Sequence, residues 1–138
     1  MYTIYTDGGA RGNPGPAGAG AIIYSDEEVL AKATAFLGTR TNNWAEYEAV
    51  ALGLETLKRH LSKPERKEAK IHIKLDSQLV ARQLSGEYQI KEPTLFEQFI
   101  KVHNLQISDF PHVTFEHIRR EKNAEADELA NQAMDAGE

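Results

Sequence analysis

Four acidic residues carry the chemistry available to this sequence: Asp7 in TDGGARGNPG, Glu46 in TNNWAEYEA, Asp76 in IKLDSQLV and Asp127 in NAEADELAN. Each falls where a strand is expected to end or a helix to begin. Singly, each has a plainer account. Asp7 could be a turn residue before Gly8-Gly9, Asp76 a helix cap, and Glu46 and Asp127 first-turn residues favoured by the helix dipole. Together they suggest more. Carboxylates delivered from four elements to one place repel each other unless a cation lies between them. An oxygen-only donor set suits Mg²⁺ or Mn²⁺ rather than zinc. Two such ions can activate a water and stabilise the leaving oxygen of an in-line displacement at phosphorus. A covalent nucleophile is not called for, in keeping with the lack of cysteine or a GxSxG arrangement.

The elements that must position these acids can be read along the chain. YTIYTD alternates and is rich in β-formers, so it predicts a strand. GGARGNPGPAG is crowded with Gly and Pro and predicts a loop. AGAGAIIYS and EVLAKATAFLG predict two strands joined around Asp26, the first with enough Ala and Gly to admit a closely packed helix. From Asn43 the period becomes helical, with Val50, Leu54, Leu57 and Leu61 on one stripe and Asn42 or Asn43 as cap. SKPERKE reads as a polar loop and KIHIKL as a short buried strand. Asp76-Ser77 opens a helix to about Leu84, and SGEYQIKEP is a loop. Pro93 suits the first turn of the next helix, with Leu95, Phe96, Phe99, Ile100 and His103 inward. HVTFEHI is a fifth strand. NAEADELANQAMDA is a last helix with Leu129, Ala130, Ala133 and Met134 inward.

The order β-β-β-α-β-α-α-β-α implies an α/β fold: a five-stranded mixed sheet, three antiparallel strands then two parallel, with helices on both faces. Right-handed crossovers favour the first strand in the middle, beside KIHIKL. Asp7 and Asp76 then end adjacent strands at one edge, where ligand sites of open α/β sheets gather. Glu46 and Asp127 lie on helices able to overhang it.

The totals set bounds. A chain of 138 residues fits a single domain over 1–138. No apolar run approaches the ~20 residues that span a bilayer, and the MYTIYTDGG start lacks the features of a signal peptide. With no cysteine, disulfides and thiolate metal sites are excluded and a cytoplasmic location is permitted. The net charge of −5 argues mildly against nucleic acid as a partner. Bound metal would offset several of the acids, and a small basic strip can act locally, so any affinity for nucleic acid is expected to be modest and steeply salt-dependent.

TDGGARGNPGPAGAG, TNNWAEYEAV, LDSQLV and REKNAEADELAN, in this order and spacing, resemble type 1 ribonuclease H over about Tyr2 to Ala133. The resemblance is to its compact bacterial and archaeal branch. It implies the ribonuclease H-like fold and cleavage of the RNA strand of RNA–DNA hybrids by two-metal hydrolysis, giving 5′-phosphate and 3′-hydroxyl ends. The cofactor implied is a pair of Mg²⁺ ions, with Mn²⁺ as substitute. By motif, Asp7 and Asp76 would hold or bridge both metals, and Glu46 would bind the metal near the leaving group and approach the 2′-hydroxyl. Asp127 would complete the site of the metal that activates water. Asn13, Asn42, Asn43 and Gln78 resemble side chains that enter the minor groove, where amides can act without demanding a sequence. Gly8, Gly9, Ala10 and Gly12 resemble the loop whose backbone passes close to the RNA. A monomer with no obligate protein partner and no membrane is expected.

The chain also departs from the pattern. Well-studied relatives carry a long basic protrusion where this chain has SGEYQIKEPTLFEQF, in which Lys91 is the one base. Weaker hybrid binding follows. Lys58, Arg59, Arg66 and Lys67 read as solvated surface. Many relatives place a histidine in the loop before the last acid. Matching the strand FEHI leaves Arg119, Arg120 or Glu121 in that loop and His117 on the strand; a gapless count back from Asp127 chooses His117 instead. The first alignment is preferred because the loop is shorter here. Trp44 either packs beneath the loop or stacks on a sugar or base, packing being the commoner fate. His60, His72, His103 and His112 show no metal-ligand spacing. Two alternatives stay open: a hybrid-binding accessory protein with little or no cleavage, and a nuclease of the same fold acting on another nucleic-acid structure.

Overall fold

The structure is a computed structural model, and it describes residues 1–137. The chain runs β1 (Tyr2–Ala10), β2 (Gly15–Ser25), β3 (Glu28–Arg40), α1 (Asn42–Lys58), α2 (Lys63–Glu68), β4 (Ile71–Leu75), α3 (Gln78–Leu84), α4 (Phe96–Ser108), β5 (Val113–His117) and α5 (Ala124–Gly137). Short 3₁₀ turns at Pro93–Leu95 and Arg120–Lys122 lead into the last two helices. The sheet order is β3-β2-β1-β4-β5, with β1–β2 and β2–β3 antiparallel and β1–β4 and β4–β5 parallel. This is the expected topology, with β1 central beside β4.

Helix α1 lies over one face of the sheet, and its residues are buried on more than the single stripe the sequence suggests. Val50, Leu54 and Leu57 pack among Ile4, Ile23, Ile71, Ile73 and Leu75, while Ala45, Tyr47, Ala49 and Ala51 are also buried. Helix α4 covers its outer side, and α3 is tied to it by the Tyr47 hydroxyl donating to Gln83 Oε1 at 2.7 Å. Leu61 falls beyond the end of α1 but still packs against this core. Helix α5 covers the other face over β1, β2 and β3. The Ala- and Gly-rich β2 admits it closely: a Cβ added at Gly18 or Gly20 would press into the α5 backbone at Ala130.

Several local readings differ from the structure. Gly8, Gly9 and Ala10 are strand, paired with Ala19, Gly18 and Ala17, so the loop shrinks to residues 11–14. At Gly8 the missing side chain reflects a helix pressing on the strand, not a turn. SKPERKE forms α2, started by a full capping box between Ser62 and Glu65 with Pro64 in the first turn. The cap of α1 is Thr41, whose hydroxyl accepts the Trp44 N–H at 3.3 Å, rather than Asn42 or Asn43. On the inward face before and along α4, Leu95 and Phe99 pack against the core as expected, but Phe96, Ile100 and His103 do not. Gln98 and Val102 are buried, whereas Phe96 and Ile100 are 46% and 54% exposed, and His103 faces water. Gln98 can be buried because its Nε2 donates to the Trp44 carbonyl and to Glu48 Oε1.

The basic cluster at the far end of α1 is also not simply solvated. Lys58 and Arg66 converge on the buried Asp109, at 3.1 and 3.4 Å. Lys67 donates to the carbonyls of Ile107 and Ser108 at the end of α4. Arg59 is exposed as expected.

Candidate carboxylate site

The parallel register of β1 and β4 ends at the Thr6–Leu75 pair, so the next residues, Asp7 and Asp76, leave the two strands side by side. Asp7 is not itself a strand end, because β1 continues to Ala10 against β2 alone. Glu46 comes from the start of α1. It reaches Asp7 because residue 8 has no side chain: a Cβ there would overlap the Ala45 carbonyl. With that space open, Gly8 N–H donates to Glu46 Oε1 at 3.1 Å.

One carboxylate oxygen from each of Asp7, Glu46 and Asp76 lies within 4.8 Å of the others. Asp7 and Glu46 are 5% and 6% exposed, and Asp76 is half-buried. Burial pushes the Asp7 carboxyl up from 3.8 to about 7, and the charges of Asp76 and Asp127 push the same way. Burial, then the charges of Asp7 and Asp76, holds Glu46 well above the usual carboxylate range. Without a cation Asp7 and Glu46 therefore tend to hold protons toward neutral pH. Glu46 Oε2 is buried with no hydrogen-bond partner among the described residues.

Asp127 stands in the first turn of α5, half-buried, and borders the same cleft; it is outside the tight trio. The cleft is open, about 520 Å³, and is also lined by Gly8, Gly9, Ala10, Asn42, Asn43, Ser77 and Arg120. Asn42 Oδ1 accepts the Ala10 N–H at 2.8 Å, and the Asn42 N–H donates to Asn13 Oδ1 at 3.0 Å. These bonds hold the 11–14 loop, including Gly12 at φ 94°, against the start of α1. Asn13, Asn42 and Asn43 are exposed, as is Gln78 at the first position of α3.

The loop candidates Arg119, Arg120 and Glu121 are all exposed; Arg120 lines the cleft, and Arg119 and Glu121 pair loosely at 4.0 Å. His117 is the last residue of β5, paired with Leu75. Trp44 is half-buried against the core, with the Arg40 guanidinium 4.0 Å above its ring. One residue was given no role from the sequence: Asn123, fully buried, donates to Asp76 Oδ2 at 3.0 Å. No local signal marks it, because its partners Thr6 and Asp76 lie far away in sequence.

A divalent cation fits this arrangement. The donors are all oxygen, one buried carboxylate oxygen lacks a partner, and the crowding that raises Asp7 and Glu46 is what a cation relieves.

Comparison with known proteins agrees with this geometry. The chain is 39% identical over 135 residues to a Mycobacterium tuberculosis protein named as bifunctional, matching 96% of this chain but spanning only 35% of that protein's length. It is 32% identical to a ribonuclease H of Hydrogenovibrio crunogenus over 96% of this chain and 94% of that protein. The structure of LC11-RNase H1 in complex with an RNA/DNA hybrid superposes with a TM-score of 0.92 at 44% identity, covering 99% of both chains. The reverse transcriptase-like family matches residues 5–133, and with these relatives it shows that the chain belongs to the ribonuclease H family.

Proposed function

We propose that residues 1–138 act as one catalytic domain, a metal-dependent endoribonuclease that hydrolyses the RNA strand of RNA–DNA hybrids to 5′-phosphate and 3′-hydroxyl ends. The observation that carries this reading is the trio of Asp7, Glu46 and Asp76, crowded together at the mouth of an open cleft. A chain that only bound hybrids would have no use for repelling carboxylates.

Asp7, Glu46 and Asp76 would hold the cations, with Glu46 serving the leaving-group side, and Asp127 would complete the set on the side of the attacking water. Bound Mg²⁺, or Mn²⁺ in its place, supplies Lewis-acid stabilisation of the phosphoryl group and lowers the pKa of the attacking water. Gly8 N–H fixes one oxygen of Glu46 and leaves the other toward the site. The exposed amides of Asn13, Asn42, Asn43 and Gln78 face the minor groove of the hybrid, where their hydrogen bonds suit either base pair. Glycine and alanine at residues 8–10 give the RNA backbone room to approach. The short α3–α4 connection offers little phosphate neutralisation, so affinity is modest and falls steeply with salt. The protein works as a monomer.

One panel tests this: labelled hybrid, single-stranded RNA, duplex RNA, duplex DNA and a DNA junction, each with Mg²⁺ and with Mn²⁺. Cutting confined to the RNA strand of the hybrid, and lost on EDTA treatment, is expected. Binding of the hybrid with no cutting under either metal would instead assign a binding protein.

A further inference from the structure

Asn123 is 1% exposed and stands where the acid-bearing elements meet. Its Nδ2 donates to the Thr6 carbonyl at 2.9 Å and to Asp76 Oδ2 at 3.0 Å. Its own carbonyl accepts the Asp127 N–H at 3.0 Å as α5 begins. One buried residue is thus bonded to the strand position before Asp7, to the Asp76 carboxylate and to the Asp127 backbone. Chemistry sets the orientation of the amide. Both partners are acceptors, and the NH₂ group has one hydrogen for each. Turned over, the amide would place its oxygen against two others. Oδ1 is left buried and unpartnered in the observed orientation, a standing cost that a residue chosen only for packing would not carry.

We propose that Asn123 is a positioning residue: through Nδ2 it selects which oxygen of Asp76 remains for the cation, and it sets the start of α5 so that Asp127 reaches the same cleft. This rests on the reading of Asp7, Glu46, Asp76 and Asp127 as the residues that hold metal. A carboxylate with one oxygen already engaged has less freedom to lose when an ion arrives. Partners of this kind, one bond removed from the ion, typically govern affinity or activity by 10–100-fold. The residue type follows. Aspartate offers no donor and would add a further negative charge against the trio; serine has one hydrogen for two acceptors.

The test is Asn123→Ala, with Asn123→Leu as a variant of nearly the original shape that also lacks the donors. Mn²⁺ and Mg²⁺ are titrated calorimetrically without nucleic acid. Melting is followed in EDTA and in saturating metal, and kcat and KM are measured on a hybrid. We expect metal affinity to weaken about 10–100-fold and the metal-induced rise in melting temperature to shrink. At fixed metal kcat should fall and then recover as metal is raised, with KM for the hybrid within about twofold of the unaltered protein. Asp109→Asn, which lies in the ion-pair cluster at the other end of α1, is the control for lost stability alone. Unchanged metal affinity in a folded variant overturns the proposal, as does an equal loss in Asp109→Asn. Failure of both variants to fold, where Asp109→Asn folds, also overturns it and makes Asn123 a structural strut. If the unaltered protein binds neither cation, it is the reading of the four acids that falls.

Discussion

At the C-terminal end of α1, Asp109 is 6% exposed and meets Lys58 Nζ at 3.1 Å and Arg66 Nε at 3.4 Å. At the N-terminal end, Glu46 is just as deeply buried and meets Asp7 and Asp76 instead. One helix therefore spans two buried carboxylate clusters with opposite surroundings. Burying a charge is costly unless a partner compensates it. Around Asp109 the chain supplies the partner from its own side chains. Around Glu46 it supplies more of the same charge. The first cluster is supplied with counter-charge as folded, although Arg66 Nε makes no hydrogen bond among the described residues, and it ties α1, α2 and the end of α4 together. The second is strained until something positive arrives, and strain of that kind collects at functional sites.

The largest expected difference between the two is in activity. Asp7→Asn and Asp76→Asn should each lower hydrolysis of a hybrid by on the order of 10³-fold or more, since on the proposed reading each removes charge that would hold the cations. Asp109→Asn should cleave within about twofold of the unaltered protein. Steady-state assays at saturating Mg²⁺ measure both. Undiminished cleavage by Asp7→Asn would erase the distinction between the clusters.

Stability should respond with the opposite sign. In the folded, metal-free chain Asp7 titrates at about 7 against 3.8 unfolded, and Glu46 is raised as well. Between these values the folded state holds protons that the unfolded state has released. The stabilising contribution is full below about pH 4 and is lost as pH rises through about 7. In EDTA, then, the protein should weaken from pH 5 to pH 8. Asp7→Asn should flatten this slope and be more stable than the unaltered protein at pH 8, by about 2–4 kcal/mol. Denaturant unfolding at the two pH values decides it; a less stable Asp7→Asn at pH 8 would contradict the crowding.

Asp109→Asn should move the other way and lose about 2–3 kcal/mol in the same unfolding experiment, because Lys58 and Arg66 keep their charges after the partner is gone. The loss is smaller than for a fully buried pair, since part-exposed Lys58 can turn to water. A loss within error of zero would mean that the cluster is ordinary surface after all.

How much of this could be read in advance follows the range of the interactions. The four acids were legible because each sits in a string with its own local signal, Gly-rich, capping or strand-ending. The central position of β1 followed from crossover handedness. Gly8 as strand was not legible, because what it accommodates is the Ala45 carbonyl on another element. Gln98 looked like surface because its partners, Trp44 and Glu48, are far off in sequence. The same holds for Lys58 and Arg66, whose anion is Asp109, and for Asn123, which bonds across 117 residues to Thr6 and 47 to Asp76. The helix at Lys63–Glu68 is different: Ser62, Pro64 and Glu65 spelled a capping box that the charged composition obscured.

The smallest effect should come from the edge of the charged cleft, where neutral amides do the holding. Asn42 accepts the Ala10 N–H and donates its own N–H to Asn13. In Asn42→Ala the first bond goes and the second, made by backbone, stays. The 11–14 loop is loosened but not released, and one of the amides proposed to face the groove is lost. A hydrogen bond of this sort is worth about 0.5–1.5 kcal/mol net. KM for the hybrid should therefore rise about three- to tenfold, with kcat within about twofold, because no group that holds the cations has moved. Asn13→Ala should give a change of similar size. A fall in kcat with KM unchanged would place Asn42 among the groups that set the carboxylates, and would extend the strained cluster out to the loop.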